Sequence, residues 1–176
     1  MEENQAEWLV WLNPEMLVLA EPSELAGPLD AGAQLRPVHH RNVGSLAAEP
    51  IDEFWQGVYK VAGVDASQVW TVESFVDRQT IRAYYNSGFM AYRPSKGVFR
   101  AWKASFESLL ADPALLARVC PDDQHKFFVH QAILSAVTVG RLKEDQIKIL
   151  PPAYGYPLLL HRSVAADRRP TNLTDF

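Results

Sequence analysis

Tyr84-Tyr85-Asn86-Ser87-Gly88-Phe89-Met90-Ala91-Tyr92-Arg93-Pro94 combines a polar turn with an apolar strand. The aromatic and apolar side chains from Phe89 to Tyr92 suit the pleated surface of a buried strand. The small polar residues Asn86-Ser87-Gly88 interrupt this pattern where the strand begins, so that backbone or a ligand could approach closely. On the tripeptide alone a turn or bulge is the better interpretation. The segments before and after it favour a site.

Length and composition indicate one soluble globular domain. A chain of 176 residues is long enough to bury a sizeable core. Its hydrophobic fraction of 48% and charged fraction of 22% are ordinary for such a domain. The formal net charge of −4 argues against nucleic acid or an anionic membrane as the main partner.

The sequence carries no sign of a disulfide framework or a targeting segment. Cys120 is the single cysteine, which excludes an internal disulfide and a cysteine-rich zinc site. The N-terminus, Met1-Glu2-Glu3-Asn4, is acidic and polar, unlike a secretory signal. No apolar run approaches the roughly 20 residues of a membrane span. We therefore expect a cytoplasmic protein without a membrane span.

The run Trp8–Leu12 predicts a strand buried on both faces, ending in Asn13-Pro14-Glu15. Asn13 and Glu15 are two residues apart, so their side chains would point the same way at the strand's end. In α/β sheets ligands bind at the carboxyl ends of strands, and a carboxylate there could hold a divalent cation against a diphosphate. The alternative is that Asn13-Pro14 merely starts a turn.

A second polar segment follows the predicted strand Gln34–Val38. The loop from His39 through Arg41 to Ser45 concentrates hydrogen-bonding groups and a cation, and it could bind a phosphate or a sugar. A solvated connector explains the loop equally well. The adjacent histidines are not a metal site without a third ligand.

Apolar periodicity and capping residues predict the remaining elements. Helices are expected from Glu49-Pro50 to Gly63, after Pro94, from Asp112-Pro113 to Cys120, and from Pro121 onward. Strands are expected at Val69–Val76, Gln146–Leu150 and Leu158–Leu160. We predict a single domain over residues 1–165 and a flexible tail over residues 166–176.

Two carboxylates mark the start of the last helix. Either Asp122 or Asp123 can cap the helix, because carboxylates are favoured at its N-terminus. The carboxylate that does not cap the helix is the candidate for chemistry. His125 and His130 lie on different faces of this helix and make a poor chelating pair.

Four features, in this order, resemble the second half of a nucleotide-sugar glycosyltransferase of the A-type fold, the family of glycogenin and bacterial galactosyltransferases. They are the strand ending in Asn13-Pro14-Glu15, the strand Tyr85–Met90 with a helix bearing Trp102, the pair Asp123-Gln124, and the strand Gln146–Leu150 with a proline-tyrosine loop leading to His161. The resemblance covers roughly residues 7 to 161. It implies an α/β fold in which helices pack on a mixed β-sheet.

The resemblance also implies roles for individual residues. Asn13 and Glu15 would take the place of the family's Asp-X-Asp metal motif, which holds Mn²⁺ or Mg²⁺ on the donor diphosphate, with His161 as the last ligand. Asn86, Ser87 and Gly88 would contact the donor sugar. Asp123 and Gln124 would lie beside it, with Asp123 near the reacting sugar. The implied partners are a nucleotide sugar and a carbohydrate or other acceptor.

Two departures from the family pattern leave the activity open. Asn13 replaces a carboxylate by a neutral amide, which should weaken cation binding. The nucleotide-binding half that precedes this motif in the family is expected to be missing, which would expose an apolar edge that oligomerisation could cover. The alternative to a transferase is therefore a diverged, non-catalytic carbohydrate-binding or interaction module.

Overall fold

The computed structural model describes residues 6–25, 31–172 and 175, which form a mixed α/β domain. Its strands are β1 (Leu9–Leu12), β2 (Ala33–Leu35), β3 (Thr71–Glu73), β4 (Thr80–Arg82), β5 (Phe89–Tyr92) and β6 (Ile147–Ile149). Its α-helices are α1 (Glu53–Ala62), α2 (Val98–Leu110), α3 (Pro113–Val119) and α4 (Asp123–Arg141). The predicted fold class, a mixed sheet with packed helices, is confirmed.

Strand β5, predicted from the apolar run Phe89–Tyr92, is an inner strand of the main sheet with a neighbour on each side. The strand order is β1-β5-β2-β6. β5 runs antiparallel to both neighbours, with Tyr92 opposite Leu9 on one side and Ala33 on the other. β2 and β6 are parallel. All four residues of β5 are buried, as the sequence predicts. Because β5 is antiparallel to β1 and β2, and β6 is parallel to β2, the C-terminal ends of β1, β2 and β6 lie at the same end of the sheet as the start of β5.

Helix α4 connects this sheet to the helical layer through buried hydrogen bonds. The Tyr92 hydroxyl and the Thr138 hydroxyl are 2.8 Å apart, and the Tyr85 backbone N–H donates to Ser135 Oγ at 2.9 Å. α1 and α2 pack on the other sides of α4. Because buried polar groups need partners, these bonds fix how α4 is rotated and placed on the sheet.

The helix caps follow the sequence signals. The Asp52 side chain accepts from the Trp55 N–H, and α1 ends at Gly63 in the left-handed region, with φ 65°. The Asp112 and Asp122 side chains cap α3 and α4. All four predicted helices are present, but α1 begins at Glu53, after its cap Asp52, rather than at Glu49-Pro50.

Three predicted strands differ from the structure. β1 is an edge strand rather than one buried on both faces, and 47% of Trp11 is exposed, because β5 is the one strand that pairs with β1 among the described residues. Within Val69–Val76, Thr71–Glu73 form strand, and they pair with β4 in a separate two-stranded sheet. Leu158–Ser163 form a 3₁₀ helix, because a short apolar run does not distinguish strand from helix.

The segment predicted as a tail includes ordered contacts. Ala166–Arg168 form a 3₁₀ turn, and the Arg168 guanidinium lies 4.6 Å from the centre of the Phe75 ring. Whether residues 166–176 are flexible stays a prediction. Across the part of the chain described here, no helix has the length and apolar character needed to cross a bilayer.

Candidate functional site

Three polar segments meet at the edge of the main sheet where β1 and β2 end and β5 begins. The Asn13 N–H donates to the Gly88 carbonyl at 2.8 Å, and the Asn86 N–H donates to the Arg36 carbonyl at 2.8 Å. These bonds join the end of β1, the end of β2 and the loop before β5. The structure thus brings Asn13 and Asn86–Gly88 together, as expected at the carboxyl ends of strands.

The Asn86 side chain organises the loop and orients His39. Its Oδ1 accepts from the Gly88 N–H at 2.6 Å, which fixes the direction of the amide. Its Nδ2 therefore faces His39 Nε2, at 2.9 Å, and donates to it. A neutral His39 that accepts at Nε2 carries its proton on Nδ1. That buried Nδ1 has no hydrogen-bond partner among the described residues.

Ser87 is held by helix α4. Its N–H and its hydroxyl both donate to Gln131 Oε1, at 3.1 and 3.0 Å, and the hydroxyl also lies 3.4 Å from His130 Nε2. The His130 carbonyl accepts from the Trp102 indole N–H at 2.9 Å, so α2 supports the same turn of α4. Burial lowers the pKa of His130, which keeps it neutral at physiological pH.

Arg36, at the end of β2, is a buried cation that the sequence analysis missed. It is 3% exposed, and its guanidinium carbon lies 4.9 Å from the centre of the Phe75 ring. Its Nε and Nη1 are buried and have no hydrogen-bond partner among the described residues. Burial, followed by the charge of Arg168, lowers the pKa of Arg36 to about 10, so it stays charged at neutral pH.

Burial and the same cation keep His39 neutral. Burial, Arg36 and His40 together lower the pKa of His39 to about 4. Asn86 links the two residues, because its N–H donates to the Arg36 carbonyl and its Nδ2 donates to His39 Nε2. His40 itself lies 3.7 Å from Asp77 Oδ2, on the far side of the loop.

The face of the sheet that carries Arg36 has polar side chains on β2 and β6. Gln34 lies two residues before Arg36 and therefore on the same face. Its Nε2 donates to the Leu25 carbonyl at 3.0 Å, while its Oε1 is buried without a partner in the described part of the chain. Lys148, its neighbour on β6, donates to Glu24 Oε2 at 2.6 Å. The alternation Gln34-Leu35-Arg36 is the sequence signal that could have revealed this face.

Aromatic rings connect Arg36 to the C-terminal segment. The Tyr156 ring lies 5.9 Å from the Phe75 ring and 5.9 Å from the His161 ring, and the Tyr156 hydroxyl is 3.2 Å from His161 Nδ1. A shallow cavity of about 730 Å³ opens beside His161 and is lined by Leu158, Leu159, Arg162, Pro170, Thr171 and Asn172. Tyr156 and His161 thus lie between this cavity and the ring that Arg36 covers.

The residues predicted to bind a metal do not form a suitable set of ligands. Asn13 Oδ1 already accepts from the Glu15 N–H at 3.1 Å, and Glu15 is exposed. His161 is held by Tyr156. Within residues 6–25, 31–172 and 175, no three histidine, cysteine or acidic side chains lie close enough to share an ion. Asn13 and His161 thus have partners within the protein and Glu15 faces solvent, and the metal role of these three residues stays a prediction.

Asp123 and Gln124 lie at the start of α4. Asp122 is the cap, while Asp123 is fully exposed and pairs with Lys126 at 3.1 Å. Gln124 is also exposed. With a rise of 1.5 Å per residue, the eight residues from Asp123 to Gln131 span about 12 Å along the helix. The structure therefore separates this pair from Ser87, and its catalytic role stays a prediction.

Arg41 lies in the loop that carries His39, but its backbone is anchored elsewhere. Its N–H donates to Asp77 Oδ2 at 2.9 Å, in the turn between β3 and β4. Although burial acts to raise the pKa of Asp77, the hydrogen bonds from Arg41 and Ser74 hold it below its usual value. Of the two predicted binding residues in this loop, the structure joins His39 to Asn86.

Comparison with known proteins gives one family. The family model described as a Rhodobacterales glycosyltransferase domain matches residues 1–139. This range contains Arg36, His39, Asn86–Gly88 and Gln131, and it ends before β6 and His161. No curated protein and no solved structure matches the chain.

Proposed function

Because this chain belongs to the Rhodobacterales glycosyltransferase domain family, we propose that it transfers a sugar from a nucleotide-diphosphate donor to an acceptor. The donor binds at the sheet edge formed by Arg36, His39 and Asn86–Gly88. One observation carries this location: the family match contains a group of partly buried, hydrogen-bonded polar side chains at the carboxyl ends of the strands, where α/β proteins bind ligands.

In this proposal each segment has a separate task. Asn86 and Ser87 bind the sugar, while Gln131 holds the Ser87 hydroxyl and N–H in place. Donors and positive charge beside the departing diphosphate stabilise the charge that develops on it. Asp123 and Gln124 remain candidates for contacting the acceptor or the reacting sugar, which would then have to extend about 12 Å along α4.

We also propose that the protein is cytoplasmic and that a second copy covers the exposed edge strand β1. Val10, Trp11 and Leu12 are apolar and between 40% and 50% exposed on the free edge of β1. Such an edge pairs readily with another strand or chain.

The test measures turnover and binding together. The protein is incubated with uridine and guanosine diphosphate sugars, with and without Mn²⁺, and release of the nucleoside diphosphate and the melting temperature are measured. A donor that binds the folded state raises the melting temperature. Asn86→Ala should lose this shift, whereas Asn42→Ala, in the exposed turn beside His39, should keep it. A folded protein that neither releases a nucleotide nor is stabilised by any donor would refute the proposal.

A second function, a carbohydrate-binding module without catalysis, is favoured by one observation. The side chains gathered around Asn86 and Ser87 are His39, Gln131 and His130, none of which is a carboxylate. Amide, hydroxyl and imidazole groups bind sugar hydroxyls but leave no acid or base with a carboxyl group at the site. Glycan binding without nucleotide release in the same assay would establish this alternative.

A further inference from the structure

Arg36 is a buried cation that the described protein does not neutralise. None of the ion pairs formed within the described part of the chain includes it. A buried charge without a partner costs several kcal/mol per ion, so proteins normally pair such groups with a counter-charge. The planar guanidinium also presents fixed N–H donors, of which those on Nε and Nη1 are unused. The site therefore suits an anion that brings both charge and acceptors.

His39, which Asn86 links to the Arg36 backbone, adds a second unused donor. The Asn86 amide occupies Nε2, which leaves the proton on Nδ1, buried and without a partner among the described residues. The unused groups of Arg36 and His39 are thus all donors. A ligand that satisfies these donors must present acceptors to them, as phosphoryl oxygens do.

A second arginine indicates more than one negative charge on the ligand. The Arg36 and Arg168 guanidinium carbons lie 4.9 and 4.6 Å from the centre of the same ring, that of Phe75. Arg168 has a distant partner, Glu73, at 3.9 Å, whereas Arg36 has none in the described chain. Two cations on one ring repel each other, and a multiply charged ligand relieves that repulsion.

We infer that Arg36 and the Nδ1–H of His39 bind the phosphoryl oxygens of a diphosphate, with Arg168 adding charge, and that this binding needs no divalent cation. Identifying the diphosphate as that of a sugar donor rests on the proposed function. The guanidinium supplies the positive charge that Asn13 and Glu15, with one neutral amide and one exposed carboxylate, do not build into a cation site.

The first experiment titrates inorganic pyrophosphate into the whole protein in the presence of EDTA, by calorimetry. We expect saturable binding to the unaltered protein and a loss of about tenfold or more in affinity for Arg36→Met. Methionine keeps an unbranched apolar stem against Phe75 and removes the charge. The control, Arg118→Met, makes the same change at an exposed position on α3 and should bind as the unaltered protein does. Equal binding by all three proteins, or none in EDTA, would overturn the inference.

The melting temperature of Arg36→Met shows whether Arg36 serves a ligand or the fold. If Arg36 serves a ligand, replacing it removes an uncompensated buried charge, and the melting temperature of the free protein should stay the same or rise. If Arg36 serves the fold, Arg36→Met should melt lower and still bind pyrophosphate as before, which would contradict the inference.

A measurement on the unaltered protein covers the case in which Arg36→Met does not fold. The pKa of His39, followed by NMR, should rise by at least about one unit when pyrophosphate saturates the site, because the anion favours the protonated imidazole. The charged groups that face His39 are Arg36 and His40, and His40 is paired with Asp77. A His39 pKa that pyrophosphate leaves unchanged would refute the inference.

Assays with sugar donors distinguish this inference from the proposed function. Pyrophosphate binding that depends on Arg36, with no release of nucleotide from any sugar donor, would uphold the anion site and reject the transferase. Donor turnover that requires Mn²⁺ and is equal in Arg36→Met would uphold the transferase and reject the anion site.

Discussion

Asn86→Asp should convert His39 from a neutral to a charged residue near neutral pH. The substitution keeps the oxygen that accepts from the Gly88 N–H. It replaces Nδ2, which donates to His39 Nε2, by a second carboxylate oxygen. That oxygen can only accept, so a hydrogen bond to Nε2 now requires a proton on it. A neutral ring could supply that proton by moving it from Nδ1 to Nε2, but the negative charge of the new carboxylate favours the imidazolium ion, in which both nitrogens are protonated.

The size of the change follows from the present environment of His39. Burial, Arg36 and His40 hold its pKa at about 4, against an ordinary value of 6.5. A carboxylate at hydrogen-bond distance opposes all three, and we expect the pKa to return to 6.5 or above. That difference corresponds to about 3 kcal/mol of altered interaction between the two protonation states.

The sign of the pH dependence reverses with the substitution. In the unaltered protein the unfolded state binds the His39 proton more readily, so this contribution to stability is complete above pH 6.5 and is lost as the pH falls toward 4. In Asn86→Asp the folded state binds the proton more tightly. Its contribution is then complete below the unfolded pKa and is lost as the pH rises through the raised folded pKa.

NMR titration of the imidazole signals measures this prediction directly. The control is Asn42→Asp, which introduces the same charge at an exposed position in the loop that carries His39. In the control we expect His39 to titrate near its value in the unaltered protein. If His39 still titrates near 4 in Asn86→Asp, the assigned hydrogen bond between Asn86 and His39 is wrong, and so is the unused donor on Nδ1.

Three further predictions concern packing, buried hydrogen bonds and the free edge. Gly57→Ala should cost about 1–3 kcal/mol in chemical denaturation, because the added methyl carbon would lie 2.2 Å from Val119 Cγ2; an unchanged midpoint would contradict that contact. Thr138→Val should cost about 1–3 kcal/mol by leaving the Tyr92 hydroxyl without its partner, and adding Tyr92→Phe should recover part of the loss; a double variant that is no more stable than Thr138→Val would contradict this. Trp11→Lys should change stability by less than about 0.5 kcal/mol but reduce self-association in light scattering, and an unchanged mass distribution would argue against assembly through β1.

Local sequence signals predict the helical half of this fold well. Asp112 caps the helix that it was expected to start, Asp122 proves to be the cap of the Asp122-Asp123 pair, and Gly63 ends α1, although α1 begins after Asp52 rather than at the expected Glu49-Pro50. Capping and apolar periodicity depend on residues within one or two helical turns of each other, so the local sequence is sufficient to predict these helices. The strand Phe89–Tyr92 was predicted for the same reason, by four consecutive side chains that favour a pleated surface.

The sheet's edges could not be predicted in this way. Whether Trp8–Leu12 is buried on two faces depends on which strand pairs beside it, and that partner is β5, far along the chain. The run Leu158–Leu160 became a 3₁₀ helix because no neighbouring strand pairs with it among the described residues. Strand pairing is a tertiary property, and composition alone leaves it open.

The site shows the same division. Asn86–Gly88 stood out because small polar residues interrupt an apolar run, and the structure does place them at the strand ends. Arg36 did not stand out, since one arginine in a short segment is usually exposed. Its burial depends on Phe75 and on the C-terminal Arg168, which come from distant parts of the sequence. Asp123 stood out because it lies at a helix start. In the structure its side chain is exposed to solvent and pairs with Lys126.

The bonds from α4 to the loop before β5 also govern when that loop acquires its shape. Ser87 depends on Gln131, 44 residues later, and the Tyr85 N–H depends on Ser135, 50 residues later. During synthesis, a nascent chain that has emerged only as far as β5 contains the loop but not the acceptors that hold it. Closing segments of this length costs conformational entropy that is recovered when α4 docks. We therefore expect the loop to take its shape only when α4 docks, and a translation product that stops before α4 to carry the residues of the site without its geometry.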